Sequence, residues 1–318
     1  MEIGGFAAVT RRALISDGSG SGALSVAQVP DPEPSAGELL IDVYAVSVNR
    51  GELHRVRSAG AGWIPGWDLA GVVSSSAASA FAPGTRVVAT LPSPGCGAWA
   101  EVVSVPTANV ACIPDSVTYA EAAALPVAGL TALRALRLGG SLLGRSVVIT
   151  GAAGGVGRFA VQLANLAGAS VIAIAGSAAR ARGLDTLGAD VVVTSVTDLC
   201  DRYDLILESS GGSSLAHLVA HIEDEGTLVM FGNSSGETTS FDVRNVYMGR
   251  AVRLQGFSLP TSYRASPPTR DLAYLAMLVG ARRLNVQIVD QLPWEQVGTA
   301  LQRLEERSVA GKIVLTVR

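Results

Sequence analysis

From residue 24 to about 113, apolar positions come in short runs cut by Gly and Pro turns, a spacing that predicts strands at 24–29, 39–48, 69–73, 86–90 and 98–105. Pro30-Asp31-Pro32, Pro65-Gly66 and Pro83-Gly84 punctuate them, and the Ser/Ala tract 74–80 reads as a loose connector. Strands spaced so regularly, with no long helix between them, predict a small barrel or sandwich. Beyond Pro114-Asp115 the apolar period lengthens. Residues 118–125 and 127–138 read as helices, the first opened by Ser116 or Thr118 with Glu121 placed for a capping box. Six further strands are predicted at 146–150, 170–174, 191–193, 205–207, 227–231 and 252–256, with helical crossovers at 158–166, 178–187 and 215–222. This alternation means a parallel, doubly wound sheet. Amphipathic helices at 269–281 and 294–307 and a strand at 312–317 close the chain. The fold class is therefore α/β: a β-rich domain plus a six-stranded doubly wound sheet.

Composition narrows the picture. The chain has 318 residues, enough for two cores, and with 48% hydrophobic and 16% charged residues it is a packed protein rather than a disordered one. The mean hydropathy of +0.37 comes largely from Ala, Val and Gly, and no apolar run approaches the roughly 18 residues of a membrane-spanning helix. A net charge of −3 without blocks of like charge argues against a nucleic-acid surface. Glu2 comes early and Arg11-Arg12 follow the first apolar patch, the reverse of a secretion signal, so the cytoplasm is the expected location. Cys96, Cys112 and Cys200 are too far apart for a disulfide framework or a zinc ribbon and read as reduced thiols. All but one of the 24 basic residues are arginine, a skew that reads as GC-rich coding. The exception, Lys312, opens a terminal strand and reads as solvated.

The chemistry-bearing stretch is Val147-Val148-Ile149-Thr150-Gly151-Ala152-Ala153-Gly154-Gly155-Val156-Gly157, a strand and a glycine turn leading into a helix. Small residues there let backbone approach a pyrophosphate, which the N–H groups of the helix N-terminus would hold. Alanine stands at the first glycine position of the usual fingerprint, a change the turn accepts if its φ stays negative. At the end of the second strand, Gly176, Ser177 and Arg180 come with no acid before Asp185. A carboxylate there would bind a ribose 2′-hydroxyl, whereas a hydroxyl and a guanidinium suit a 2′-phosphate and hence NADPH. The bland alternative makes Ser177 a helix cap and the arginines solvated. Two stretches of the first domain also stand out. In the 47–54 stretch, Asn49 satisfies a turn or serves a site, and Glu52 is expected to pair with Arg55 or Arg57. In Pro65-Gly66-Trp67-Asp68, Asp68 caps a turn and Trp67 covers the core. His217 and His221, one helical turn apart, read as ordinary surface.

Taken together, the chain resembles the medium-chain dehydrogenase/reductase superfamily, specifically its zinc-free quinone oxidoreductase-like (enoyl reductase-like) branch. The resemblance rests on Val48-Asn49-Arg50-Gly51-Glu52, Pro65-Gly66-Trp67-Asp68-Leu69-Ala70-Gly71 and Ile113-Pro114-Asp115. It continues through Leu125-Pro126-Val127-Ala128-Gly129-Leu130-Thr131-Ala132, the 151–157 turn, Leu187-Gly188-Ala189-Asp190, Ser210-Gly211-Gly212 and Gly311-Lys312-Ile313-Val314. It implies a GroES-like catalytic domain at 1–121 and 262–318, a Rossmann NADP-binding domain at 122–261, and an active site in the cleft.

The resemblance further implies catalytic roles for Asn49, His54 and Thr131. Asn49 and Thr131 would lie by the nicotinamide, and His54 stands where some relatives place a tyrosine proton donor. The implied cofactor-binding residues are Asn49, Thr131, Gly154, Gly155, Val156, Gly176, Ser177, Arg180, Ser210, Gly211, Phe231, Gly232, Asn233, Phe257, Ser258 and Leu259. No metal is expected, because zinc-dependent relatives carry cysteine where Asn49 lies and His-Glu where Trp67-Asp68 lies. The expected reaction is hydride transfer from NADPH to a small-molecule quinone or to the C=C bond of an α,β-unsaturated carbonyl, with specificity in the 55–64 and 259–266 loops. The alternatives are a reductive tailoring enzyme or cyclase of polyketide-like biosynthesis and a non-catalytic NADPH-binding sensor or structural protein. Relatives of this kind pair edge strands, which makes 251–256 the expected seam of a homodimer.

Overall fold

The computed structural model describes residues 10–76, 81–91 and 97–318. Cys96 and part of the 74–80 tract lie outside them, while 74–76 belong to a strand. The chain divides into two compact units: 1–127 with 267–283 and 288–318, and 128–266 with 284–287.

The first unit opens with β1 (Thr10–Ser16) and β2 (Leu24–Pro30), an antiparallel pair. β3 (Glu38–Val48) follows, then the helix α1 (Arg50–Ser58), β4 (Asp68–Ser76), β5 (Arg86–Thr90), β6 (Val102–Pro106), β7 (Val110–Cys112) and α2 (Tyr119–Ala123). Two of these segments differ from the pattern-based expectation. Residues 50–58 form a nine-residue helix rather than a polar turn, and its signature was present as Asn49, the N-cap, followed three residues later by Glu52. The strand expected at 98–105 begins only at Val102. Before it, Trp99 is fully buried and bonds to the backbone of Pro65 and Leu14, so that stretch serves as a core plug. α2 is capped by Thr118, whose hydroxyl and Glu121 form the expected reciprocal cap.

The helix α3 (Pro126–Arg137) leads to the second unit, built on β8 (Ser146–Ile149), α4 (Gly155–Leu166), β9 (Ser170–Ile174), α5 (Ala178–Ala181) and β10 (Val191–Val193). It continues through β11 (Tyr203–Glu208), α6 (Gly212–Val219), β12 (Ile222–Met230), α7 (Arg244–Tyr247), β13 (Arg253–Gly256) and α8 (Leu259–Ser262). The strands run parallel in the order β10-β9-β8-β11-β12-β13. This is the doubly wound dinucleotide arrangement, with its switch point between β8 and β11. Two crossovers end earlier than expected. α5 stops before Gly183, whose φ of +77° no helix accommodates, and α6 ends at Val219 because Ile222 already begins β12.

The chain returns to the first unit through α9 (Thr269–Gly280), β14 (Ile288–Pro293), a 3₁₀ turn at Trp294–Gln296, α10 (Val297–Glu305) and β15 (Lys312–Thr316). β15 pairs antiparallel with β3, Ile313 opposite Val48, and completes the sheet β14-β15-β3-β4-β5-β7, with β6 also on β3. Leu39, Ile41, Val46, Leu69, Val87, Trp99, Trp294 and Ile313 are central to its core.

Candidate active site

In the first unit, polar chemistry is concentrated where β3 ends. Asn49 opens α1, but its side chain turns inward: Nδ2 donates to Asp68 Oδ2 at 2.8 Å, and Oδ1 accepts from Lys312 Nζ at 2.6 Å. Glu52 supplies the helix-opening contacts instead, its two carboxylate oxygens accepting from the backbone of Asn49 (2.7 Å) and Trp67 (2.9 Å). Asp68 also accepts from Ser47 Oγ at 2.6 Å and, through Oδ1, from the amide of Val127 at 3.0 Å. That amide is the first available in α3, since Pro126 ahead of it has none. Lys312 completes the group, donating to the carbonyl of Val48 at 3.2 Å and lying 3.9 Å from Asp68.

Glu52 and Asp68 have no exposed surface, Lys312 is 3% exposed and Asn49 7%. Lys312 is therefore buried rather than solvated. Gly311, at φ +139°, gives the backbone turn just before it. Nor does Glu52 pair with a neighbouring arginine: Arg57 bonds Glu305 at 2.7 Å instead. Two carboxylates face one ammonium here, so the cluster retains a proton most readily by keeping one carboxyl neutral. Burial, reinforced by the charge of Asp68, pushes Glu52 up to about 8. Burial also raises Asp68 and lowers Lys312.

His54 lies exposed on α1, two residues past buried Glu52 and so on the other side of the helix. Thr131 is buried on α3, the helix whose first amide Asp68 holds. The structure brings Asn49 into the buried cluster and leaves His54 outside it.

In the second unit the remaining predicted residues collect at the carboxyl ends of the parallel strands. Gly154 to Val156 follow β8, Gly176 to Arg180 follow β9, Ser210 and Gly211 follow β11, Phe231 to Asn233 follow β12, and Phe257 to Leu259 follow β13. Backbone bonds join these loops side by side: Ala152 to Ile174, Phe231 to Glu208, Ser235 to Ser210 and Phe257 to Met230. Gly154 is the N-cap of α4 and carries no side chain to cap it, so the first-turn amides keep their capacity to bind an anion. Residues 154–156 are half-buried while 157–164 are buried, which places the open end of the helix where a ligand can reach it. The alanine at the first fingerprint position causes no strain, because the positive φ of the turn falls on Gly151 (+59°) instead. The group therefore fits a dinucleotide pyrophosphate.

At the end of β9, Ser177 caps α5 by accepting from the amide of Arg180 at 3.4 Å, which leaves its hydroxyl proton available to donate. Arg158, on α4, was not anticipated as part of this corner. It is 6% exposed and bonds the carbonyls of Ala153 (3.3 Å) and Arg182 (3.0 Å) and the side chain of Gln287 (2.9 Å). It thus ties the glycine turn to the loop after α5. Burial lowers the Arg158 pKa, and the positive charge of Arg180 lowers it further, so two guanidiniums converge at this corner. Glu208, at the end of β11, is also buried and raised by burial, while the amides of Ser210 and Gly211 donate to its carboxylate and shape that loop.

His217 and His221 stack at 4.5 Å, and His221 Nδ1 lies 2.7 Å from the carbonyl of Asp201. Among the described residues no three His, Cys, Asp or Glu side chains gather to hold a metal ion, and no helix is long and apolar enough to cross a membrane.

Comparison with known proteins agrees with this fold. Residues 35–115 match the alcohol dehydrogenase GroES-like domain family, and residues 155–273 match the zinc-binding dehydrogenase family. A chloroplast envelope quinone oxidoreductase homolog of Arabidopsis thaliana is 28% identical over 94% of this chain and 96% of its own. A 2-methylene-furan-3-one reductase of Solanum lycopersicum is 30% identical over 63% of this chain and 56% of its own. The solved quinone oxidoreductase of Coxiella burnetii superposes with a TM-score of 0.85 at 26% identity, covering 98% of this chain and all of that one.

Proposed function

The chain belongs to the medium-chain dehydrogenase/reductase superfamily, in its quinone oxidoreductase-like branch, and from that membership we propose an NADPH-dependent, zinc-free oxidoreductase that reduces a quinone or the C=C bond of an α,β-unsaturated carbonyl. The first unit is the GroES-like catalytic domain and the second the cofactor domain. The observation that carries the cofactor assignment is the corner after β9. Ser177 and Arg180 stand there with Arg158 alongside, and 175–184 contains no acid to hold a ribose hydroxyl or repel a 2′-phosphate. The acceptor class follows the activities of the two relatives, a quinone oxidoreductase homolog and a 2-methylene-furan-3-one reductase.

Bound NADPH supplies the hydride. When it reaches the β-carbon of an enone, negative charge develops on the carbonyl oxygen, where the amide of Asn49 serves as donor. The α-carbon then takes a proton. The exposure of His54 favours solvent as its source. Thr131 and the loops after β11, β12 and β13 hold the cofactor. Although one matched family is described as zinc-binding, the polar side chains at the end of β3 already surround a fixed cation, the Lys312 ammonium, which supports a metal-free reaction. The free, exposed thiols of Cys112 and Cys200 support a reducing compartment, the cytoplasm, which cell fractionation would check.

Thermal shift tests the cofactor. NADPH is expected to raise the melting temperature more than NADH at equal concentration, and Arg180→Ala is expected to weaken NADPH binding about 10- to 100-fold with little change for NADH. A uniform loss for both would sink the 2′-phosphate assignment. Oxidation of NADPH by quinones and enones, polyketide-like enones included, tests the reaction; tight binding with no turnover on any acceptor would favour a sensor.

β13 is the free edge of its sheet, and the segment before it exposes Val243, Tyr247 and Met248, each at least 60% accessible. Such an edge suits a homodimer. Native mass spectrometry is expected to show twice the 32.5 kDa chain mass and no zinc. A monomer would overturn the dimer, and one zinc per chain would overturn the metal-free reaction.

A further inference from the structure

We propose that Lys312 is a positioning residue for hydride transfer, acting through Asn49: its ammonium fixes and polarises the Asn49 carboxamide, strengthening the N–H that this side chain has left to donate. The inference rests on the reading of Asn49 as the donor to the acceptor's developing charge.

Three observations support it. The carboxamide is held between a cation at its oxygen (Lys312 Nζ, 2.6 Å) and an anion at its nitrogen (Asp68 Oδ2, 2.8 Å). Both neighbours favour the same charge-separated resonance form, negative on oxygen and positive on nitrogen, so their effects reinforce each other in a buried site. The orientation is also chemically determined. Exchanging the amide oxygen and nitrogen would put the ammonium against an NH₂ group and the carboxylate against a carbonyl. With one Nδ2 hydrogen committed to Asp68, the other is the single N–H remaining on the side chain.

The third observation is the residue type. Elsewhere the chain uses arginine for every basic side chain, 23 times over, yet this one position is lysine. A compact ammonium can donate to the Val48 carbonyl and to Asn49 Oδ1 together while its charge faces the Asp68 carboxylate at 3.9 Å, whereas a larger, planar guanidinium cannot match that arrangement in a space 3% exposed. Lys312 itself is covered by these partners, so its effect on the reaction passes through Asn49.

Removing a buried cation alone risks unfolding, so the informative variant is the charge-balanced pair Lys312→Met with Asp68→Asn, alongside Lys312→Met alone. The probes are 1,4-benzoquinone and 2-cyclohexen-1-one with NADPH. In the folded pair, kcat is expected to fall about 10- to 100-fold while KM and the NADPH Kd change less than about threefold, as for a contact made in the transition state. In an Asn49→Ala background the same pair is expected to change kcat less than about twofold, because the residue through which Lys312 acts is gone. Effects that multiply across the two backgrounds, or an unchanged kcat in the folded pair, would overturn the proposal. A cofactor-free arm separates this inference from the functional reading. With ¹⁵N-asparagine label, the Asn49 Nδ2 protons should lie downfield of ordinary carboxamides and move upfield on Lys312→Met. If they do not move, Lys312 does not polarise Asn49, whether or not the protein turns over. If the native protein binds NADPH but reduces neither probe, the functional reading fails, and the spectrum alone decides the polarisation.

Discussion

Asp68→Ala is expected to destabilise the first unit by about 3–5 kcal/mol at neutral pH, the usual cost of stranding a buried charge, which for a domain of this size lowers Tm by on the order of 10 °C. Four groups depend on this one carboxylate: the Ser47 hydroxyl, the Asn49 amide, the Val127 backbone N–H and, at 3.9 Å, the Lys312 ammonium. Asp68→Asn should cost much less, because an amide oxygen can still accept from Val127. The pH dependence gives a second signature in the same denaturation experiment. A carboxyl whose folded pKa, about 8 for Glu52, lies above its ordinary 4.5 holds its proton more tightly in the folded protein. Its contribution to stability is complete below about 4.5 and is lost as pH rises towards 8. Asp68, raised in the same direction, adds to that slope. The native protein should therefore lose stability between pH 5 and pH 8. Asp68→Ala removes one negative charge and should flatten the slope. An equally steep slope in the variant, or a Tm within 2 °C of native, would show that the cluster does not carry the charges described.

Gly157→Ala is expected to abolish tight cofactor binding, with a loss of affinity on the order of 100-fold once the helix-terminus amides no longer meet a phosphate. A Cβ at this position would lie 2.4 Å from the carbonyl oxygen of Gly151 and 2.5 Å from Cα of Ala152. Both are backbone atoms of the turn itself, so the turn must open and move the N-terminus of α4. The accompanying strain should cost about 1–3 kcal/mol in the second unit and leave the melting of the first unit untouched. Gly154→Ala provides the contrast, since its added carbon would meet one atom, the Gly151 oxygen, at 3.3 Å. A Gly157→Ala protein that binds NADPH within threefold of native would show that the turn is not the phosphate site.

How much of this was legible beforehand depended on the range of the signal. The parallel sheet was readable because each strand–helix unit announces itself locally: β9 and β10 have the predicted bounds, and β8 and β12 differ mainly in length. β1, β7 and β14 were missed; β7 is three residues long, while β1 and β14 pair with the strands that follow them, β2 and β15. The glycine turn and Ser177 were visible because their neighbours in sequence are also their neighbours in space. The buried cluster was not, because it joins residues 47–52, 68 and 312, and no local spacing records that β15 returns beside β3. Glu52 was assigned to a nearby arginine for the same reason. One clue was available and read differently: a lone lysine in a chain that otherwise uses arginine can mark a place where only an ammonium fits, as well as a codon preference.

That buried lysine also gives the chain an unusual reactivity. Any α-amino group aside, it carries no primary amine on its described surface, because its one ε-amine is sealed between β3 and β15. Amine-directed acylation and reductive methylation, which need an accessible unprotonated amine, therefore find no lysine to modify in the native fold. Modification of Lys312 requires β15 to part from β3, so its rate measures how often that pair opens. A reductive-methylation time course read by mass spectrometry would follow this one opening event without an engineered label.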